Sequence, residues 1–361
     1  IGTIAMKHYE KRLEQDEQDI RDNTAAIAAM VGEALKNAVH AVRTGNKKLA
    51  NLTVLGDGEI NRAVREVDRD CHRFIVRHLP SAGHLRLMSA TIRAVIALER
   101  IGDYAVSISR VATRLSSPPD HNLAAAMENM AADAGEMLER AMQAFVEGNA
   151  EQAKALKVMA DQVERIQASA LDDLAHGHAE RSTDDLFAMF TLYSMLERVS
   201  DQAKNLCEEA VFATTGETKA AKVYRILFLD QDDTRLAPMA EALARHNFPN
   251  SGEYESAGLT AAAALDPAMV KYMNTRGIDV TGVKPHVLDK GPLELARYHV
   301  VVSLQGPVEN YLQEIPFHTA TLEWDVAQSP DDASLDYEAV YRALSVEVRM
   351  LMERLRGPEA D

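Results

Sequence analysis

One phrase in this chain occurs twice. Leu98-Glu99-Arg100-Ile101-Gly102-Asp103-Tyr104-Ala105 returns as Leu196-Glu197-Arg198-Val199-Ser200-Asp201-Gln202-Ala203, 98 residues further on. Both copies lie in alanine-rich, proline-free sequence, which predicts helix. On a helix Glu99 and Asp103 share a face, about 6 Å apart along the axis, and so do Glu197 and Asp201. Two helices that each present a carboxylate pair can build an oxygen-rich cation site.

The repeat is wider than the phrase. Helix-period stretches cover residues 9–44, 47–78 and 84–114, punctuated by Gly45-Asn46 and by Pro80-Ser81-Ala82-Gly83. After Pro118-Pro119-Asp120, three more cover 121–147, 149–175 and 183–213, and Gly148-Asn149 stands where Gly45-Asn46 stands in the first copy. Caps, breakers and period together predict a three-helix unit present twice, at 6–115 and 120–217. Three antiparallel helices can bury one shared apolar stripe, so each copy reads as a bundle.

The texture changes at Thr214-Thr215-Gly216-Glu217. Tyr224–Leu229 is an apolar run of strand length that ends in an acidic loop, and Pro238–His246 follows as a helix with proline in its first turn. Arg297–Leu304 and Thr319–Trp324 read as further strands, Tyr254–Ser256 as a weaker one, and 336–355 as helix. Strands alternating with helices predict a small parallel sheet over 223–357. The expected fold class is multidomain α plus α/β: two tandem three-helix bundles, then a small parallel α/β domain.

Charge and cysteine usage narrow the function. The formal net charge is −16, of which −10 falls in residues 223–361. Such a chain repels phosphate backbones, which argues against nucleic-acid binding. Cys71 and Cys207 have no metal-type spacing and give no disulfide framework. With no signal peptide and no apolar run of about 18 residues, no membrane span is expected. The expected place is the cytoplasm, with peripheral contact at the inner face of the membrane compatible.

A lone Glu-x-x-x-Asp is ordinarily a solvated acidic face. Repeats diverge freely at solvated positions, so acids kept in both copies argue for shared work, either a metal site or a salt-bridge lattice. Arg100 and Arg198 are not spaced to pair with these acids along the helix. Asp57 and Asp161, at comparable places on the second helix of each unit, are weaker candidate ligands. Oxygen ligands suit hard cations over copper, and the lack of nearby cysteine argues against a structural zinc site. The expected cofactor is a divalent or trivalent ion, with Fe, Mn, Mg and Zn left open.

Residues 6–217 resemble the PhoU family of phosphate-uptake regulators. The doubled phrase carries the resemblance, with Pro80-Ser81-Ala82-Gly83-His84-Leu85-Arg86 and Asp57-Gly58-Glu59-Ile60-Asn61 in support. The resemblance implies two three-helix bundles with a metal cluster on each, at Glu99/Asp103 and Glu197/Asp201. It also implies a cytoplasmic negative regulator, often a homodimer, that contacts a phosphate ABC transporter ATPase and a sensor histidine kinase. Val64 stands where many members carry a further acid, which predicts a poorer first cluster.

Residues 223–357 resemble low-molecular-weight protein tyrosine phosphatases and the related arsenate reductases. Ile226–Leu229, Pro238-Met239-Ala240-Glu241, Ser256-Ala257-Gly258, Gly277-Ile278-Asp279 and Val300–Val302 carry this resemblance. Those enzymes place Cys-x5-Arg-Ser before Pro-Met-Ala-Glu, the thiolate attacking phosphorus while loop amides and Arg hold its oxygens. Aligned through Pro238, the Cys position is Asp230, the Arg position Leu236 and the Ser position Ala237. Asp232 and Asp233 add charge that opposes a phosphate dianion, and Arg235 is one residue out of place. The family's late Asp-Pro acid falls near Ser329-Pro330, where serine precedes the proline. A catalytically dead module is expected.

The rival reading is an enzyme, a phosphatase or arsenate reductase type using the acidic loop Asp230 and Asp232 with Mg. Leu227-Phe228-Leu229-Asp230-Gln231-Asp232-Asp233-Thr234 matches the first motif of haloacid-dehalogenase-type phosphotransferases, and Ser303 could serve as the second. The lysine that family needs is missing, since none follows Lys290. Trp324 reads as packing, Cys71 and Cys207 as small apolar helix residues, and His72, His78 and His84 as exposed side chains.

Overall fold

The computed structural model describes residues 2–78, 80–177, 181–218, 222–260, 262–316, 318–326, 335–358 and 360. The chain divides into two compact units, Ile1–Lys219 and Ala220–Asp361.

The N-terminal unit is helical: α1 Gly2–Thr44, α2 Lys47–His78, α3 Ala82–Arg114, α4 His121–Glu147, α5 Ala150–Leu156, α6 Val158–Gly177 and α7 Thr183–Thr215. Gly45 (φ +66°) and Gly148 (φ +64°) end α1 and α4 in the left-handed conformation that glycine adopts without strain. The next helices then start on side-chain caps. Asn46 accepts from Leu49 N at 3.0 Å, and Asn149 from Gln152 N at 3.0 Å.

The helix expected at 149–175 is two. At Lys157 the backbone ladder tightens to a bond from Ala160 N to Lys157 O, three residues apart, and α5 gives way to α6. Gly45 and Gly148 are 103 residues apart, whereas Glu99 and Glu197 are 98 apart. The second copy is therefore five residues shorter between its first and third helices, and the interrupted helix lies within that span.

Both repeats bury one continuous core. α3 and α7 form its middle and pack on each other. In the doubled phrase, Leu98, Ile101 and Ala105 on α3 and Leu196, Val199 and Ala203 on α7 are fully buried. Burying a side chain such as Leu98 or Ile101 contributes about 1.5–3 kcal/mol. The apolar letters of the phrase are thus explained by packing. The acids are not, because they lie off that face.

The C-terminal unit contains β1 Tyr224–Asp230, α8 Leu236–Asn247, β2 Gly252–Gly258, α9 Pro267–Thr275, the short α10 Pro292–Leu295, β3 Val300–Ser303, β4 Ala320–Glu323 and α11 Tyr337–Arg356. All strand pairs are parallel, in the order β2-β1-β3-β4. β1 is covered on both faces. Ile226 and Phe228 pack into a core with Leu243, Leu344 and Trp324, and Leu227 and Leu229 into another with Leu288, Tyr298 and Tyr311. That two-sided burial explains the unbroken apolar run. The strand order reverses between β1 and β3, so their carboxyl ends, Asp230 and Ser303, flank the crevice where such sheets bind ligands.

Candidate metal and oxyanion sites

In the first repeat, α2 brings Asp57 against α3. Gly102 makes the approach close: a β-carbon there would stand 3.5 Å from Ile60 Cδ1 and 3.7 Å from Asp57 Oδ1. Burial raises the Asp103 carboxyl above its ordinary value, and the charge of Asp57 raises it further. Asn61, one turn beyond Asp57, donates from Nδ2 to Asp57 Oδ2 at 2.7 Å. Asp57 Oδ1 and Asn61 Oδ1 are buried with no hydrogen-bond partner. Two inward oxygen acceptors left unpaired beside a second carboxylate form a donor set that fits a hard cation. Asn61 is a residue that the sequence reading missed as an oxygen donor. Val64 is buried in the core.

In the second repeat, Glu197 is half-buried and its carboxyl is pushed up to about 7. Burial is the largest cause, followed by the charge of Asp201, a hydrogen bond with it, and the charge of Glu164. Two carboxyls that share a hydrogen bond share a proton, which a cation could displace. The acid from the second helix that bears on Glu197 is Glu164, which the sequence reading did not single out. Asp161 is exposed, three residues earlier on α6. Glu99 lies one turn before Asp103 on α3. Among the described residues, no three His, Cys, Asp or Glu side chains gather into a group able to hold a metal, so the candidate sites rest on carboxylate pairs with Asn61 added in the first.

At the end of β1, Asp230 turns inward and is 1% exposed. Its Oδ1 accepts from Asp233 N at 2.6 Å, and its Oδ2 from Leu236 N and Ala237 N, both at 3.0 Å. These amides belong to the loop and to the first turn of α8, a place that ordinarily receives an anion. The loop is thus filled by its own carboxylate. Burial raises the Asp230 carboxyl despite the three donors. Asp232 Oδ1 accepts from Thr234 Oγ1 at 2.6 Å, and the charge of Asp232 bears on Asp230.

Asp233 holds this arrangement in place. Its backbone is left-handed, φ +54°, and Oδ2 accepts from His286 N at 2.7 Å. Burial, with the charge of Asp230 adding to it, pushes its carboxyl up to about 6, while the His286 amide and the Ser256 side chain pull it down. Gly258 is required beside it: a β-carbon there would stand 2.7 Å from Asp233 N. Gln231 N donates to Gln305 Oε1 at 2.7 Å, which ties the loops after β1 and β3. Leu236 is buried, and the charge of Arg235 bears on Asp266 and Tyr337. Ser303 Oγ donates to Gly306 O at 2.5 Å. Ser329 and Pro330 lie outside the described residues.

Of the three histidines expected at the surface, His78 is a correction: it is 2% exposed. It is held between the rings of Tyr9 and Phe74, and its Nε2 lies 2.7 Å from Asp16 Oδ2, which also pairs with Arg77 at 2.8 Å. His72 and His84 keep more exposure, 64% and 32% of their side chains. Trp324 packs on Phe228, and both cysteines are buried thiols.

Residues 24–112 and 127–210 match the family model of the PhoU domain. A phosphate-specific transport system accessory protein PhoU homolog from Pseudomonas aeruginosa is 27% identical over 215 residues, 58% of this chain and 88% of its own length. The crystal structure of PhoU from Pseudomonas aeruginosa superposes with a TM-score of 0.54 at 26% identity, over 56% of this chain and 99% of that one. A weak likeness, TM-score 0.29 at 19% identity, links 37% of this chain to 99% of an arsenate reductase in its phosphate-binding state.

Proposed function

Since residues 24–112 and 127–210 are PhoU domains, we propose that this chain is an accessory regulator of phosphate transport that represses uptake and starvation signalling when phosphate is ample. The paired domains carry this reading, because relatives that span them are phosphate-specific transport system accessory proteins. Its partners on this reading are the ATPase of a phosphate ABC transporter and a sensor histidine kinase, met at the inner face of the membrane, and the working form is a homodimer. Among the described residues no helix is long and apolar enough to cross a membrane.

The helical unit works as a metal protein in this reading. The pair Asp57 and Asp103, with Asn61, would hold one ion, and the pair Glu197 and Asp201 another. Support comes from the orphaned oxygens of Asp57 and Asn61 and from the crowded carboxyls around Glu197. A bound Fe, Mn, Mg or Zn ion would neutralise these acids and tie the second helix of each repeat to the third.

The C-terminal unit would be a catalytically inactive module. Asp230 and Leu236 replace nucleophile and clamp, and the amides that would grip a phosphoryl group are taken by Asp230. The test is a reporter of phosphate-starvation genes in a strain deleted for this gene and grown with ample phosphate. Derepression is expected, restored by the wild-type chain and not by the Glu99→Ala, Asp103→Ala, Glu197→Ala, Asp201→Ala quadruple variant. An unchanged reporter in the deletion strain would overturn the regulatory reading.

A further inference from the structure

α1 and α4, the first helices of the two repeats, border an open groove of about 1000 Å³. Both repeats build it from the same face. Each α1 residue that lines it has a counterpart 103 positions on among the α4 residues that do, as with Ala28 and Ala131, Gly32 and Gly135, or Leu35 and Leu138. Along α1 the lining runs from Ala25 to Arg43, about 27 Å at 1.5 Å per residue, or five helical turns.

Two observations say what the groove suits. Gly32 and Gly135 sit in helix interiors, where glycine costs about 0.5–1 kcal/mol against alanine. Neither has any atom within 4 Å of where a β-carbon would stand. Internal packing therefore does not demand these glycines, yet they leave bare backbone at matching points of the groove. The rim is acidic: Glu33, Glu128, Glu136, Glu139 and Glu147 line it against Lys36 and Arg43, Arg43 is engaged by Glu128 at 3.2 Å, and Glu136 pairs outside the lining with Arg140 at 2.7 Å. That net −3 is half of the −6 carried by residues 1–222.

We propose that this groove docks one amphipathic helix of a partner protein, about five turns long, with an apolar face and Lys or Arg along both flanks. Helix-in-groove recognition needs an apolar floor, a length of several turns and flanking charge of opposite sign, and all three are present. The bare glycines let the incoming helix ride close, as small residues do where helices pack tightly. A second copy of this chain is a poorer occupant, since face-to-face pairing would set ten rim glutamates against four rim lysines and arginines.

The test uses the full chain and a fluorescein-labelled synthetic helix of about 18 residues, Ala and Leu on one face and Lys and Arg on its flanks, with a scrambled peptide of the same composition. Anisotropy should rise with the amphipathic peptide, and 0.5 M salt should weaken binding. Gly32→Leu with Gly135→Leu, and separately Glu33→Lys with Glu139→Lys, should each weaken it about tenfold. Thermal unfolding verifies that each variant folds, and Gly32→Ala with Gly135→Ala, the milder filling, gives a second readout if leucine does not. Equal binding of the scrambled peptide, no binding, or affinity unmoved in folded variants overturns the proposal. So does a wild-type dimer that the leucine pair dissociates, since a second copy would then cover this face.

Discussion

Asp230 Oδ2 and the backbone N–H of Ala237 lie 3.0 Å apart, so a side chain from the end of β1 occupies the amino end of α8. With the bonds from Asp233 N and Leu236 N, it closes the segment from Asp230 to Ala237 on itself and satisfies these three donors without a ligand. Removing the carboxylate should therefore expose an anion site that the wild-type chain keeps shut.

The first prediction follows from that relationship. Asp230→Gly should lose about 1–3 kcal/mol of stability in urea unfolding, because Asp233, Leu236 and Ala237 lose their acceptor. Millimolar phosphate or sulfate should then raise the Tm of the variant and not that of the wild type. Neither chain should hydrolyse p-nitrophenyl phosphate. Hydrolysis by the wild type that Asp230→Ala abolishes would sink the inactive-module reading.

Glu197 gives a pH prediction. Its carboxyl stands at about 7 in the folded chain against 4.5 when unperturbed. The folded state thus binds more protons, so its stability should fall as pH rises from about 4.5 through 7 in the presence of a chelator. Glu197→Gln should flatten this part of the Tm–pH profile. A profile identical in both chains would show that the carboxyl is not raised.

Metal occupancy can be read without activity. Elemental analysis after mild purification should find metal in the wild type, and Asp57→Ala with Asp103→Ala should lose the first site alone. A metal supplied at 100 times its Kd should stabilise the chain by about 2.7 kcal/mol. Equal metal content in wild type and in a variant lacking Asp57, Asp103, Glu197 and Asp201 would remove these acids as ligands.

His78 predicts a purely structural loss. His78→Ala should cost about 2–4 kcal/mol, since it deletes a buried ring and one partner of Asp16. Burial works against the Asp16 charge, but His78 and Arg77 outweigh it and hold the carboxyl below its ordinary value. Its contribution should be present above that value and fade as pH falls through the lowered one. Denaturant midpoints at pH 7 and pH 3 check both statements.

The helices and strands were legible because their signals are local. Gly45, Asn46, Gly148 and Asn149 punctuate the repeat, and two-sided burial of β1 shows as an unbroken apolar run. What was hidden depends on neighbours in space. His78 gives no sequence sign of burial, since its partner Asp16 is 62 residues away. Glu164, and the part Asn61 plays beside Asp57, could not be read because an acid or amide on a helix face looks alike whether or not it meets another helix. Lys157 has ordinary helical dihedrals and no breaker beside it, so no local residue announces the interruption there.

The placement of β1 has a consequence for synthesis. Tyr224–Asp230 pairs with β2 soon after leaving the ribosome, but its other edge pairs with Val300–Ser303, some seventy residues later. During that interval an apolar strand destined for the middle of a sheet is half-zipped, the state in which chains most readily stick to one another. The helical unit ahead of it, α3 and α7 of its core included, would by then be fully synthesised and free to fold. Truncated chains ending between residues 260 and 300 should thus carry a finished helical unit with an adhesive tail.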